Sequence, residues 1–313
     1  MRHIRLGTRG SKLALWQANW VKGELQACFP EVEVELVVIR VESDRQPDVP
    51  ITAMNSRGIF VRDIELALLE GRIDAAVHSL KDLPSEDAAG LEIAATSPRE
   101  DPRDALLTTD GRGLQELRSG AAVGTSSLRR SALVREARRD VSVQPIRGNI
   151  DTRLRKLHDG EYDAVVMAVA ALNRLEERVP ALLLPAQTWV PAVAQGIIGV
   201  QARVDDRETK ELLSAVSDSE SMLCARVERS FLRSLGGGCS VPVGGLATVS
   251  DGTVTLSGFV GSPDGERALR VAQTVPVYRA DALGPAVASE LRARGGEAIL
   301  ARLQAEVPIV RAD

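Results

Sequence analysis

The feature of this sequence that most constrains its fold is an alternation of short apolar runs and amphipathic stretches through the first 200 residues. Runs such as residues 4–6 and 75–77 have the length and composition of buried strands. The stretches between them have helical spacing, and Ser11 precedes the first of them in the position of a helix cap. Strands that alternate with helices predict the α/β fold class, with doubly wound sheets.

The alternation restarts after Pro102, which predicts a second α/β domain. Residues 197–204 resemble one more buried strand, which we expect to return to the first domain. From about residue 219 the pattern changes to one long helix, three strand-like runs and a helical stretch at 280–303. This order is typical of a small α+β domain, and a chain of 313 residues is long enough for three domains.

Composition excludes several classes of function. Aromatic residues make up only 3% of the chain, which argues against a surface that stacks nucleic-acid bases. No apolar stretch reaches the length of a membrane-spanning helix, so we expect no membrane partner and a cytoplasmic location. Cys28, Cys224 and Cys239 are too few and too far apart for a disulfide framework. The three histidines are scattered, and no metal site is predicted.

Basic residues are mostly arginines, since only five of the 39 are lysines. A guanidinium group binds a carboxylate or phosphate through two parallel hydrogen bonds. Arginines that lie beside glycine and serine in loops therefore indicate an anionic ligand, although biased codon usage also explains an excess of arginine.

The first two candidate loops follow predicted strands, whose carboxyl ends face the ligand crevice of a doubly wound sheet. One contains Arg9 and Ser11, which form either an anion site at a helix start or an ordinary cap. The other, residues 78–84, contains Lys81 and Asp82. Asp82 is either a general acid or base, a group that stabilises a cationic intermediate, or a simple turn residue.

Two further loops combine small polar residues with arginines. Residues 124–130 form either an anion cradle or a capped helix with exposed charges, through Thr125, Ser126, Ser127, Arg129 and Arg130. In the next loop, Arg147, Gly148 and Asn149 precede Arg153. An RNA-binding patch is the rival interpretation of that loop, and the acidic chain with few aromatic residues weakens it.

Cys239 follows three glycines, which give the backbone unusual freedom. Its thiol is either a nucleophile or attachment point, or a buried structural cysteine after a helix end. The residues alone thus indicate a crevice for a ligand with several negative charges.

Seven motifs, taken in order, resemble the porphobilinogen deaminase family over essentially the whole chain: RGSKLALWQ at 9–17, HSLKDLP at 78–84, REDPRDA at 99–105, GTSSLRR at 124–130, RGN at 147–149, QG at 195–196 and GGCSVP at 237–242. The resemblance implies a covalent dipyrromethane cofactor on Cys239, with Asp82 as the catalytic residue. It implies porphobilinogen as substrate and neither a metal nor a nucleotide. Four porphobilinogen units would be joined head to tail, with loss of ammonia, and released as linear hydroxymethylbilane.

The resemblance also assigns the remaining residues of the crevice. It implies cofactor contacts from Lys81, Thr125, Ser126, Ser127, Arg129, Arg130, Arg147 and Gly148. It implies substrate contacts from Arg9, Ser11, Arg57, Arg147, Asn149, Arg153, Arg174 and Gln195. Each porphobilinogen carries two carboxylates, which accounts for arginines along both walls.

In this family the first two domains are like type II periplasmic binding proteins, and a monomer is expected. The implied domains are residues 1–98 with 197–214, residues 102–191 and residues 219–313, with a lid at 41–57. The chain departs from the family at Ala53, Asn55, Ser56 and Arg57 in that lid, and Ala194 stands where glycine is usual. The alternative function is a non-catalytic, two-lobed binding protein for an anionic metabolite.

Overall fold

The computed structural model describes residues 2–40, 61–236 and 241–306. Its mixed α/β architecture confirms the predicted fold class. The strands are β1 (Arg2–Thr8), β2 (Val32–Val38), β3 (Ala75–Ser79), β4 (Leu91–Thr96), β5 (Asp104–Leu107), β6 (Ala122–Gly124), β7 (Ser142–Gln144), β8 (Ala164–Ala168), β9 (Ala181–Leu183), β10 (Ile198–Arg203), β11 (Val243–Ser250), β12 (Thr253–Gly261) and β13 (Ala268–Pro276). The α-helices are α1 (Lys12–Cys28), α2 (Arg62–Leu69), α3 (Leu128–Ala137), α4 (Ile150–His158), α5 (Val169–Arg174), α6 (Arg207–Ser214), α7 (Ser219–Ser234), α8 (Ala280–Leu291) and α9 (Glu297–Glu306).

The first sheet has the strand order β2-β1-β3-β10-β4. Strand β1 is parallel to β2 and β3, whereas β10 is antiparallel to both of its neighbours. The first four residues of β3, residues 75–78, are buried because both of its faces are covered. Helix α1 packs Val21 and Leu25 onto one face, and α2 packs Ile64 and Leu68 onto the other.

The second sheet repeats this plan with the order β7-β6-β8-β5-β9, in which β6 is parallel to β7 and β8 and β5 is antiparallel. The chain passes between the two sheets twice, through residues 97–103 and again through residues 184–197. These two crossing segments place the carboxyl end of β3 beside the start of β5. The space between the two sheets is called the crevice below.

The third sheet is an antiparallel meander, β11-β12-β13, covered by α7 and α8. The ring of Phe231 is fully buried against Gly258, where a Cβ atom would lie 2.9 Å from the ring. Glycine is therefore required at that close approach. The sequence predicts one helix over residues 280–303, and the structure corrects this: Gly295 has φ of +104° in a π-helical turn that separates α8 from α9.

None of the helices in the three described ranges is both long and apolar enough to cross a membrane.

Candidate active site

A short 3₁₀ turn, Leu80–Asp82, carries Lys81 and Asp82 to the crevice directly after β3. Leu80 anchors this turn, because its side chain is buried and its backbone N–H donates to the carbonyl of Ile197 at 3.0 Å. Asp82 is exposed and Lys81 is half-buried. The buried anchor thus leaves both charged side chains at the end of the strand, where the sequence places them.

Charged groups from both sheets surround this turn. Burial lowers the pKa of Lys81 to about 8; the charges of Asp82 and Asp104 raise it, and those of Arg130 and Arg129 lower it. Burial also lowers the pKa of Arg153, as does the positive charge of Arg130, whereas Asp82 opposes the shift. Asp82 therefore lies among cations contributed by both walls of the crevice.

The loop after β6 uses its small polar side chains to hold its own backbone. The Ser127 hydroxyl caps α3 by accepting from the Arg130 N–H at 3.4 Å. The Ser126 hydroxyl donates to the carbonyl of Ile146 at 2.7 Å, and Thr125 Oγ1 accepts from the Ser127 N–H at 3.2 Å. These hydroxyls fix the start of α3, from which Arg129 and Arg130 project.

Arg129 and Arg130 both turn to one buried carboxylate, that of Asp104 at the start of β5. Arg129 Nη1 donates to Oδ2 at 2.7 Å, and Arg130 donates to Oδ1 from Nη2 at 2.7 Å and from Nε at 3.1 Å. Burial by itself raises the pKa of Asp104, and the two guanidinium groups outweigh it and hold that pKa far below its usual range. The buried Nε of Arg129 has no partner among the described residues.

The fourth loop is shaped by Gly148, which has φ of +104°, and a Cβ atom there would lie 2.5 Å from the side chain of Thr152. Its carbonyl accepts from Arg153 Nε at 2.8 Å. Asn149 caps α4 by accepting from the Thr152 N–H at 3.1 Å. The half-buried Arg147 and Arg153 are thereby held on neighbouring turns beside the crevice.

On the opposite wall, Ser11 caps α1 by accepting from the Ala14 N–H at 3.3 Å, as the sequence predicts. Arg9 lies at the end of β1 near His78, whose pKa it helps to lower. The neighbouring Lys12 reaches across to Asp151 on α4, with an Nζ–Oδ2 distance of 2.8 Å. The mouth of the crevice is therefore bridged by an exposed ion pair.

Arg174 and Gln195 lie at the back of the crevice rather than on its open walls. Arg174 Nη2 donates to the carbonyl of Gly196 at 2.7 Å, and its guanidinium lies 5.8 Å from the centre of the Trp16 ring. Burial lowers the pKa of Arg174 to about 10. Gln195 is 1% exposed and hydrogen-bonds to protein groups on both sheets.

Two expected site residues, Cys239 and Arg57, lie outside the described residues, as do the lid and its departures at Ala53, Asn55 and Ser56. The sequence interpretation missed Asp104 as a single residue, although it belongs to a quoted motif. An acidic residue at the first position of an apolar strand, in a chain rich in arginine, is the signal that could have identified Asp104. Within ranges 2–40, 61–236 and 241–306, no group of three or more metal-ligand side chains is present.

Comparison with known families gives two matches. Residues 4–211 match the family described as porphobilinogen deaminase, dipyromethane cofactor binding domain, and residues 222–293 match its C-terminal domain. The porphobilinogen deaminase of Shouchella clausii is 47% identical over 98% of this chain and 99% of its own. That of Syntrophobacter fumaroxidans is 46% identical over 96% of this chain and 97% of its own.

Among solved structures, a probable amino-acid ABC transporter extracellular-binding protein from Bacillus subtilis aligns with 69% of this chain and 90% of its own. Its TM-score is 0.41 and its sequence identity is 10%. A ligand-binding component of an ABC-type import system from Staphylococcus aureus aligns with 74% of this chain and 73% of its own, with a TM-score of 0.41 and 14% identity.

Proposed function

The chain belongs to the porphobilinogen deaminase family, and we propose that Asp82, Lys81 and the crevice arginines perform that family's reaction here. The enzyme is a hydroxymethylbilane synthase, a transferase of tetrapyrrole and heme biosynthesis with a dipyrromethane cofactor. It condenses four porphobilinogen molecules head to tail, with loss of ammonia at each step, and hydrolysis releases linear hydroxymethylbilane. The match to a cofactor-binding domain supports this function and not that of a non-catalytic binding protein.

The position of Asp82 is the observation that carries the proposal. Its carboxylate is exposed at the crevice, and its charge acts on Lys81 and on Arg153 from the other sheet. A carboxylate so placed accepts hydrogen bonds from pyrrole N–H groups. It also stabilises the positive charge that develops on a porphobilinogen ring as ammonia departs. We therefore assign Asp82 as the catalytic residue.

The residues present fit a dipyrromethane, which carries acetate and propionate side chains. The positive charge of Arg130 adds to burial in lowering the pKa of Arg153, and the buried Nε of Arg129 lacks a partner among the described residues. Such a site favours anions. The bound group supplies the terminal pyrrole carbon to which each new unit is added. In the proposal it is attached to Cys239 and held by Lys81, Thr125, Ser126, Ser127, Arg129, Arg130, Arg147 and Gly148.

The family resemblance assigns the substrate carboxylates to Arg9, Ser11, Arg57, Arg147, Asn149, Arg153, Arg174 and Gln195. The half-buried Arg147 and Arg153 are best placed to pair with carboxylates. Arg174 and Gln195 are buried against protein carbonyls, so their contribution is to shape the back of the crevice. We further propose three domains, formed by residues 1–98 together with 197–214, by residues 102–191 and by residues 219–313. We also propose a cytoplasmic location and a monomeric state.

Intact mass of the purified protein tests the covalent cofactor. We expect the chain to be heavier than its sequence by one dipyrromethane, and Cys239→Ala to lose that mass together with all turnover. Cys28→Ala is the matched control, because Cys28 is exposed at the end of α1. A fully active protein of unmodified mass would contradict the proposed attachment.

Turnover tests the role of Asp82. Asp82→Asn keeps the shape of the side chain and removes its charge, so we expect the cofactor mass to remain while kcat falls by about a hundredfold or more. Glu86→Gln, the same kind of charge removal at an exposed residue of the loop that follows, serves as the control. Near-normal turnover in Asp82→Asn would make Asp82 a turn residue.

A further inference from the structure

Gln195 lies in the second crossing segment between the sheets and is 1% exposed. Its side-chain nitrogen, Nε2, donates to the carbonyl of Pro102 at 2.7 Å and to Asp104 Oδ1 at 2.9 Å. Its oxygen, Oε1, accepts from Lys81 Nζ at 3.2 Å. One buried amide therefore joins Lys81, in the turn after β3 of the first sheet, to Asp104, the first residue of β5 in the second sheet.

The orientation of this amide is fixed by its surroundings. The NH₂ group faces three acceptors: the carbonyls of Pro102 and Arg103, and the carboxylate that Arg129 and Arg130 also bind. A flipped amide would put its oxygen against all three and lose these hydrogen bonds. The oxygen of Gln195 is thus held facing Lys81.

Lys81 needs such a partner because the charges around it conflict. Asp82 and Asp104 attract its ammonium group, whereas Arg129 and Arg130 repel it, and the surrounding protein desolvates it. A flexible four-carbon side chain in such a field has no single preferred position. A fixed amide oxygen at 3.2 Å supplies one.

We propose that Gln195 is a positioning residue that holds the Lys81 ammonium group beside Asp82 and in register with Asp104. The inference rests on the proposed function for its catalytic consequence, since it deepens the role given there to Lys81. It replaces the direct substrate contact that the family resemblance implies for Gln195. The hydrogen bond also stabilises the charged form of Lys81, which makes the link measurable without turnover.

The test is an NMR titration of the holoenzyme that carries [ε-¹³C]lysine. The chain has five lysines, so the spectrum has five side-chain signals, and Lys81→Arg assigns the relevant one. We expect Gln195→Leu to lower the titration midpoint of Lys81 by about one pH unit, because a hydrogen bond to its charged form is lost. The matched control is Gln201→Leu, a glutamine that is also 1% exposed and that donates instead to Glu65.

Gln195→Asn covers the case in which the leucine variant fails to fold. It keeps the amide but is one methylene too short to contact both Asp104 and Lys81. We therefore expect it, too, to lower the titration midpoint of Lys81. An unchanged Lys81 midpoint in a folded Gln195 variant would overturn the inference, as would an equal shift in Gln201→Leu. A shifted midpoint with unchanged turnover would support the hydrogen-bond link and count against the function proposed for Lys81.

Discussion

Glu228 and Arg99 form a bidentate ion pair inside the protein, with Nη1–Oε1 and Nη2–Oε2 distances of 2.7 Å and 2.9 Å. The carboxylate of Glu228 is fully buried and also accepts from the backbone N–H groups of Ala194 and Ala247. One side chain of α7 therefore binds both crossing segments between the sheets and the first strand of the third sheet.

Removing that charge leaves Arg99 buried without its counter-ion. We expect Glu228→Gln to lower the free energy of unfolding by about 3–5 kcal/mol, the usual cost of breaking one side of a buried pair. Glu220→Gln, on the exposed first turn of the same helix, should cost about 1 kcal/mol or less. Denaturant unfolding measures both, and equal losses would show that Glu228 does not fasten the segments.

Some crevice arginines, such as Arg129, bind a buried carboxylate of the protein, whereas others, such as Arg153, are half-buried and are proposed to bind substrate. Unfolding experiments and mass spectrometry distinguish these two roles. Arg129→Leu exposes the buried Asp104 carboxylate to an apolar side chain, and we expect a loss of about 3 kcal/mol in unfolding free energy. Arg153 donates to one carbonyl, so Arg153→Leu should cost about 1 kcal/mol or less. With substrate, the folded Arg153→Leu enzyme should accumulate partly extended chains, visible as a mass ladder. Equal destabilisation without a ladder would make Arg153 a structural residue.

The pH dependence of activity should report Lys81. Its pKa is lowered by burial to about 8, so the ammonium group that binds a carboxylate is present below that pH and lost as pH rises through it. We expect kcat/KM to fall above about pH 8. Lys81→Arg keeps its charge at every pH in this range and should move the alkaline limb upward. If the alkaline limb does not move in Lys81→Arg, the loss of activity at high pH belongs to another titrating group.

Acid stability should report His78. Burial lowers its pKa from 6.5 to about 4, helped by the charge of Arg9 and opposed by Gln201. Between pH 6.5 and 4, His78 is therefore protonated in the unfolded chain but neutral in the folded one. The free energy of unfolding consequently falls as the pH drops from 6.5 toward 4. Linkage gives a loss of about 3 kcal/mol across that window. In His78→Phe this part of the acid destabilisation should disappear, and identical pH slopes for the two proteins would contradict it.

Local features were predictable from the sequence because they depend on neighbouring residues. The cap at Ser11 and a helix start at Ser126 or Ser127 follow from short polar side chains before helical spacing, and the structure caps α1 with Ser11 and α3 with Ser127. The contact between Gln195 and Asp104 joins residues 91 positions apart, and no local pattern encodes it. The break at Gly295 escaped prediction because apolar spacing continues on either side of it.

Ala194 stands where the family usually has glycine, and its backbone occupies the left-handed region with φ of +59°. That conformation costs about 1–2 kcal/mol for a residue with a Cβ atom, which explains why glycine is usual there. Ala194 is 1% exposed, so Ala194→Gly also loses a buried methyl and gains unfolded-state entropy, each worth about 1 kcal/mol.

The matched control is Ala225→Gly, an alanine with the same 1% exposure and the same apolar cluster, but in the right-handed interior of α7. Ala225→Gly also loses a buried methyl and gains unfolded-state entropy, but it relieves no backbone strain, so we expect destabilisation by about 2 kcal/mol. Ala194→Gly should cost about 1 kcal/mol or less, because the released strain offsets the same losses. The two unfolding free energies should therefore differ by about 1–2 kcal/mol, and equal values would mean that Ala194 holds its left-handed conformation without strain.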